Sequence, residues 1–163
     1  MRTQVVGSSF LNSSPRYDDA GVSWSPTNGT GLFLDHNWSN TSTSTTVTLT
    51  FNPAILNPTF SIYDINRNNP CYSLGCSGAW ADKVTVNTNN GTVSATAVQP
   101  SEQTISNSGT STVTVLGNTV CNGVNGAVNF TIAGSPTVIT ITYSSGAVVD
   151  VASSPPSPAR CST

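Results

Sequence analysis

Reactive side chains are scarce in this chain of 163 residues: seven carboxylates, one His and four Cys. The carboxylates that stand out are Asp64 and Asp82. One ends the run Thr59-Phe60-Ser61-Ile62-Tyr63-Asp64 and the other begins Asp82-Lys83-Val84-Thr85-Val86, and in both runs apolar and polar residues alternate. At a period of two, side chains two apart share a face. Asp64 therefore falls with Phe60 and Ile62, and Asp82 with Val84 and Val86, both toward a core. Two acids converging on half-buried ground repel each other and lose hydration, so something must compensate them. A Ca²⁺ ion is one compensator: it takes roughly six to eight oxygens, and Asp64, Asn66 and Asp82 are its candidate ligands. Arg67 or Lys83 could pair with the acids instead. The simplest compensation comes from backbone N–H groups of the intervening loop, acting as turn caps. The D-x17-D spacing is not a metal motif by itself.

Catalytic readings of the same residues fail on inventory. A glycosidase would use the acid pair as acid and base, but the chain is small and Glu102 is its only Glu. A Ser-His-Asp device would need His36, which its neighbour Asp35 is badly placed to orient, and no G-x-S-x-G occurs. The expectation is a chain that is not an enzyme. Trp24, Trp38, Tyr72 and Trp80 lie in or beside loop-like sequence. Aromatic faces there can stack on sugar rings, which makes these four the candidate ligand contacts; rings that merely plug the ends of the fold are the plainer alternative.

Whatever these residues do, short strands must position them. Period-two alternation recurs in Thr46-Val47-Thr48-Leu49-Thr50-Phe51, Val84-Thr85-Val86, Val113-Thr114-Val115, Val128-Asn129-Phe130-Thr131-Ile132 and Ile139-Thr140-Ile141-Thr142-Tyr143. Residues 93–98 and 147–151 are further candidates. Turn signals such as Asn52-Pro53, Asn90-Gly91, Ser108-Gly109 and Gly134-Ser135-Pro136 separate the runs. No 3.6-residue apolar stripe with a cap is present, so almost no helix is expected. Eight to ten strands with one wet face each suit two antiparallel sheets packed face to face: an all-β sandwich, with a jelly roll preferred over an immunoglobulin-type order. The predicted core is Val47, Leu49, Phe51, Phe60, Ile62, Val84, Val86, Val113, Val115, Val128, Phe130, Ile132, Ile139 and Ile141.

Ser, Thr and Asn account for 24, 24 and 17 residues, against five basic and seven acidic side chains. So few cations cannot neutralise many phosphates, which argues against a nucleic-acid partner. No run of 18 apolar residues occurs, so no membrane-spanning helix is expected. Low net charge with 17 Val and 12 aromatics argues against disorder. Cys71 and Cys76 flank a short turn-like loop and are the expected disulfide, with Cys121 and Cys161 as the second pair; four reduced thiols are the alternative. A disulfide implies an oxidising, extracellular setting. Met1-Arg2-Thr3-Gln4 has no apolar signal-peptide run, and Ser153-Ser154-Pro155-Pro156-Ser157-Pro158 reads as a stiff linker. The division expected is a sandwich module over 1–152 and a Pro/Ser-rich tail over 153–163, cut from a longer secreted chain. Six Asn-x-Ser/Thr sequons are no more than this composition yields by chance, so they carry no inference.

The succession Gly31-Leu32-Phe33-Leu34, Thr50-Phe51-Asn52-Pro53-Ala54, Phe60-Ser61-Ile62-Tyr63-Asp64-Ile65-Asn66, Trp80-Ala81-Asp82-Lys83-Val84-Thr85-Val86 and Val138-Ile139-Thr140-Ile141-Thr142-Tyr143 resembles jelly-roll modules of large bacterial surface proteins, of the fibrillar-adhesin and gliding-associated type. The resemblance spans roughly residues 30–145. It implies a noncatalytic extracellular module, often in adhesion or display, and fixes no ligand. The expected partner is a surface glycan or protein, or neighbouring copies of the chain. That family usually carries Asp-Ile-Asp where this chain has Asp64-Ile65-Asn66, which removes one carboxylate from any metal site carried over. Two rival functions fit the same residues: a filament subunit joined by strand donation, with the N-terminal segment up to Leu11 or the strand ending at Val151 as candidate donor, and the carbohydrate-binding module of a secreted hydrolase.

Overall fold

In the computed structural model, residues 1–7, 31, 32, 34, 43–68, 80–118 and 126–146 are described. Among them the secondary structure is all β. The strands are β1 (Arg2–Val6), β2 (Ser44–Thr50), β3 (Thr59–Ile62), β4 (Arg67–Asn68), β5 (Trp80–Thr88), β6 (Thr92–Ala97), β7 (Gln103–Ser106), β8 (Thr112–Gly117), β9 (Val128–Ala133) and β10 (Val138–Ser145). They form two antiparallel sheets. The larger runs β1-β2-β10-β5-β8-β7, with β4 pairing the start of β5, and the smaller runs β3-β9-β6.

The connectivity is that of a folded ribbon. The first half of the chain runs antiparallel to the second: β2 pairs with β10, β3 with β9 and β5 with β8. The ribbon then closes on itself through the β10–β5 and β9–β6 ladders. Near the connection from β5 to β6, Val93 and Thr110 form an isolated bridge that ties the small sheet to the chain leading into β8.

The alternation seen in the sequence places the core between the sheets. Val84, Val86, Val113, Val115 and Ile139 of the large sheet meet Val93, Val128, Phe130 and Ile132 of the small one, with Ile65 closing one end. Leu49, Phe51, Phe60, Ile62 and Ile141 pack against this cluster half-buried, and Val47 is buried. All the residues predicted for the core thus face it, while Ile65 and Val93 are additions. Phe60 and Phe130, cross-strand partners on β3 and β9, stack with ring centroids 5.3 Å apart.

The outward face of the large sheet carries hydroxyl rows. Thr46, Thr142, Thr85, Thr114 and Ser106 stand side by side on five strands, and Thr48, Thr140, Asn87 and Thr112 form the next row. Thr85 and Thr114 share a hydrogen bond of 3.3 Å between hydroxyls, and Asn87 donates to Thr112 at 2.6 Å. This is the wet face that β-branched polar residues favour.

Strand β1 falls in the N-terminal segment named as a candidate strand donor, whereas β4 and β7 have no counterpart in the sequence reading. β7 holds one apolar residue, Ile105, and β4 has only two residues; neither is long enough to display a period. The candidate strand over 147–151 and the tail over 153–163 lie outside the described residues.

Candidate functional site

The core of the large sheet ends in a polar row. One step inside it, the apolar row Tyr143–Val84–Val115–Ile105 runs across β10, β5, β8 and β7. The next row is Ser145–Asp82–Gly117–Gln103. Ser145 pairs with Asp82, and Gln103 pairs with Gly117. Gly117 falls opposite Asp82 because Lys83 pairs with Leu116. Cross-strand partners share a face, so all four positions look inward. Asp82, Gln103 and Ser145 are buried.

Gly117 leaves a gap in this row, and the chain leaving β3 fills it. A Cβ placed on Gly117 would fall inside the Asn66 carbonyl group and only 2.8 Å from the Asn66 Cα. Asn66 crosses here with its Cα and carbonyl against Gly117, and the Ile65–Asn66 peptide unit that leads into it is held from both flanks. Its C=O accepts a hydrogen bond from the Gln103 side-chain amide at 3.1 Å. Its N–H donates to Asp82 Oδ2 at 3.1 Å. The other carboxylate oxygen of Asp82, Oδ1, accepts from the Tyr143 hydroxyl. The Asp82 N–H in turn donates to the Asn66 carbonyl at 2.8 Å, and the Ile65 N–H to the Gly126 carbonyl at 2.9 Å. Side chains of β5 and β7 thus clamp the Ile65–Asn66 peptide, Tyr143 of β10 holds the clamping carboxylate, and the Asn66 carbonyl that follows lies over a glycine of β8. A buried peptide left without such partners would be costly.

Asp64 takes a different position from the one its parity predicted. β3 ends at Ile62, and Asp64 has φ 61°, in the left-handed region that Asp tolerates better than most residues. The extended strand therefore stops before Asp64, which is half-buried. Its Oδ1 accepts a hydrogen bond from the Asn66 side-chain amide at 2.8 Å. Asp64, Asn66 and Asp82 are brought together, then, through Asn66, which donates to one acid with its side chain and to the other with its backbone.

Calcium demands oxygen ligands, six to eight by general rule. Here Asn66 turns its amide N–H toward Asp64, and both Asp82 oxygens accept protein donors. No group of three or more His, Cys, Asp or Glu side chains suited to a metal occurs among the described residues. The donor set found is one of hydrogen-bond capping. Of the two cations considered for these acids, Lys83 is exposed on β5 and Arg67 is half-buried on β4.

The clamp also sets the base of the loop that carries several sequence-predicted contacts. Immediately beyond it, Arg67 pairs with Ala81 and Asn68 with Trp80, so both ends of the stretch 69–79 are fixed in one short ladder. Tyr72, Cys71 and Cys76 belong to that stretch and lie outside the described residues, as do Trp24, Trp38, Cys121 and Cys161. The backbone of Trp80 opens β5, while its side chain also lies outside the described part.

Next to the clamp sits Glu102, 4% exposed, whose Oε2 is buried without a hydrogen-bond partner among the described residues. Its backbone is fixed, the N–H donating to Gln99 and the C=O accepting from Asn118. Burial pushes its carboxyl above the ordinary value by penalising the charged form. Between the ordinary carboxylate pKa and that raised value, the folded chain holds more protons than the unfolded one. Stability is therefore expected to fall as pH rises through this window. Glu102→Gln removes the titrating group, so its unfolding free energy should lack that descending segment. Denaturation at a series of pH values checks this; identical slopes in the two proteins would contradict it.

Comparison with protein-family models, with curated proteins and with solved structures gives no match for this chain.

Proposed function

We propose that the chain is a noncatalytic module of an extracellular adhesin or fibre, a β-sandwich of jelly-roll type that meets a surface glycan or protein through the loops at its clamped end. The observation that carries this reading is the use of Asp82. A catalytic acid needs free access to a substrate proton, whereas both oxygens of Asp82 accept hydrogen bonds that hold the Ile65–Asn66 peptide and Tyr143. The acid is spent on fixing a loop base. A rigid base under a variable loop is how sandwich scaffolds present binding residues, and the loop fixed here is the one with Tyr72 at its middle and Trp80 at its foot.

The jelly-roll assignment is supported by the ribbon order, with β2-β10-β5-β8 in one sheet and β3-β9-β6 in the other. β7 departs from the ideal order by pairing with β8 rather than β6. An extracellular setting is supported by the charge-poor hydroxyl face and by the four Cys.

A glycan array probed with the whole chain tests the binding half of the proposal. Selective binding that Trp80→Ala and Tyr72→Ala abolish, with the fold intact by circular dichroism, is the expected result; binding untouched by both changes would move the contact elsewhere. Turnover of any substrate that is lost on replacing Asp64 or Asp82 would overturn the noncatalytic half. A chelator is expected to leave Tm unchanged, because Asp82 already has its compensating donors. A fall of several degrees would show that calcium holds Asp64, Asn66 and Asp82 together.

A further inference from the structure

The strand best suited to leave its own chain is β1. Among the described residues it lies at the end of the large sheet and pairs only with β2, through Arg2–Thr50, Thr3–Leu49, Gln4–Thr48, Val5–Val47 and Val6–Thr46. No β1 side chain is buried: Thr3 and Val5, on the inward face, are half-covered, and Val6 is 60% exposed. Among the described strands its extended contact is with β2 alone, and no strand of the small sheet packs broadly against it. Such an element belongs to the low-stability end of a structure, where local opening costs least. What it leaves behind is demanding. The backbone edge of Ser44–Thr50 would lose its partner, and an uncovered sheet edge templates the addition of another strand.

The vacated edge has a shape requirement. Continuing the ladder, Gly7 lies against Thr45, which is fully buried. A Cβ on Gly7 would collide with the Thr45 side chain, approaching its Cβ to 2.9 Å. An incoming strand must therefore bring an inward Thr and Val at alternate positions and then a residue without a side chain. The segment Thr3-Gln4-Val5-Val6-Gly7 of a second copy meets that condition by identity. Residues 7–43 join β1 to β2, and about 37 residues reach on the order of 120 Å when extended, far enough for β1 to lie on a neighbour. The entropy of closing so long a loop within one chain also rises with its length, which narrows the advantage of the intramolecular pairing.

The geometry points to β1 as an exchangeable strand: the N-terminal segment of one copy takes the place of β1 on the β2 edge of another. This names a partner, a second copy of the chain, and it does not depend on the ligand-binding reading above. Because one copy's donor and acceptor edges are separate, the exchange propagates from copy to copy as well as closing into a dimer.

The test uses the full chain with Val6, exposed on the outward face opposite Thr46, replaced by the photo-crosslinking residue benzoylphenylalanine. Natural-abundance and ¹⁵N-labelled chains are mixed in equal amounts, concentrated, cycled through mild denaturant and irradiated. Complete exchange gives cross-linked peptides that join the N-terminal segment to Ser44–Thr50, about half of them of mixed isotope. Same-isotope pairs alone would overturn the proposal, and so would mixed pairs scattered over the chain without preference for β2. Loss of glycan binding with mixed pairs retained would strike the binding reading and leave this one standing.

Discussion

Phe130→Ala is expected to cost about 3–5 kcal/mol of folding free energy, the range for removing a fully buried aromatic ring. Phe130 sits at the centre of β9, the middle strand of the small sheet, and is 1% exposed. Its ring stacks on Phe60 from β3 and closes the cluster formed with the valines of β5 and β8. The other core positions of β9, Val128 and Ile132, are already buried and have no freedom to fill the space. Phe60→Ala should cost clearly less, because Phe60 is half-buried at the sheet edge. The double variant measures the stacked pair, with a coupling of about 0.5–1.5 kcal/mol. Urea unfolding of the three variants checks the order. A Phe130→Ala loss below that of Phe60→Ala would mean that the interface between the sheets lies elsewhere.

Much of this arrangement was legible in the residues because the sandwich writes its core into a period of two. Val47, Val84, Val86, Val113, Val115, Val128, Phe130, Ile132 and Ile139 were placed inward by parity alone and are buried. Parity stopped being informative where the backbone left the extended region. Asp64 shows this: β3 ends at Ile62 and the backbone turns to a positive φ at Asp64, and nothing in Ile62-Tyr63-Asp64 announces the change. Ile65 and Val93 were not expected in the core for related reasons. Ile65 follows that break, and Val93 stands in Thr92-Val93-Ser94-Ala95-Thr96-Ala97, where small alanines blur the contrast between the two faces.

The site was legible only in part. Asp82 was identified as an inward carboxylate needing compensation, and it is buried with donors on both oxygens. Its partners were not identified. Tyr143 reads as the last apolar residue of a strand, Gln103 as an ordinary polar residue near a turn, and Gly117 as part of the turn signal Gly117-Asn118. These three come into register with Asp82 only through the pairing of β10, β5, β8 and β7, strands far apart in sequence. A sequence-level signal does exist for one of them. A glycine at an inward position of an alternating strand, here the third step after Val113 and Val115, marks the close approach of another backbone.

Gly117 carries the second large effect. Gly117→Ala is expected to destabilise the chain by on the order of 3 kcal/mol, since overpacking against backbone costs about 1–3 kcal/mol and the displaced peptide also forfeits buried hydrogen bonds. The methyl group would meet the Asn66 carbonyl and Cα, which have no rotamer with which to yield. Asn66 must lift away with its carbonyl, which takes that carbonyl from the Asp82 N–H and loosens the bonds of the Asn66 N–H to Asp82 and of the Ile65 carbonyl to Gln103. Asp82→Ala attacks the same unit from the opposite side, leaving the Asn66 N–H and the Tyr143 hydroxyl without that acceptor. The two changes break one device, so the double variant should lose clearly less than the sum of the singles. Amide hydrogen exchange gives a local readout: in each single variant the Asn66 and Asp82 N–H groups should exchange faster, while those of Phe130 and Ile132 keep their rates relative to global unfolding. Strictly additive losses, or protection at Asn66 unchanged by either substitution, would show that Asp82 and Gly117 act separately and that the loop base is held by something other than the clamp.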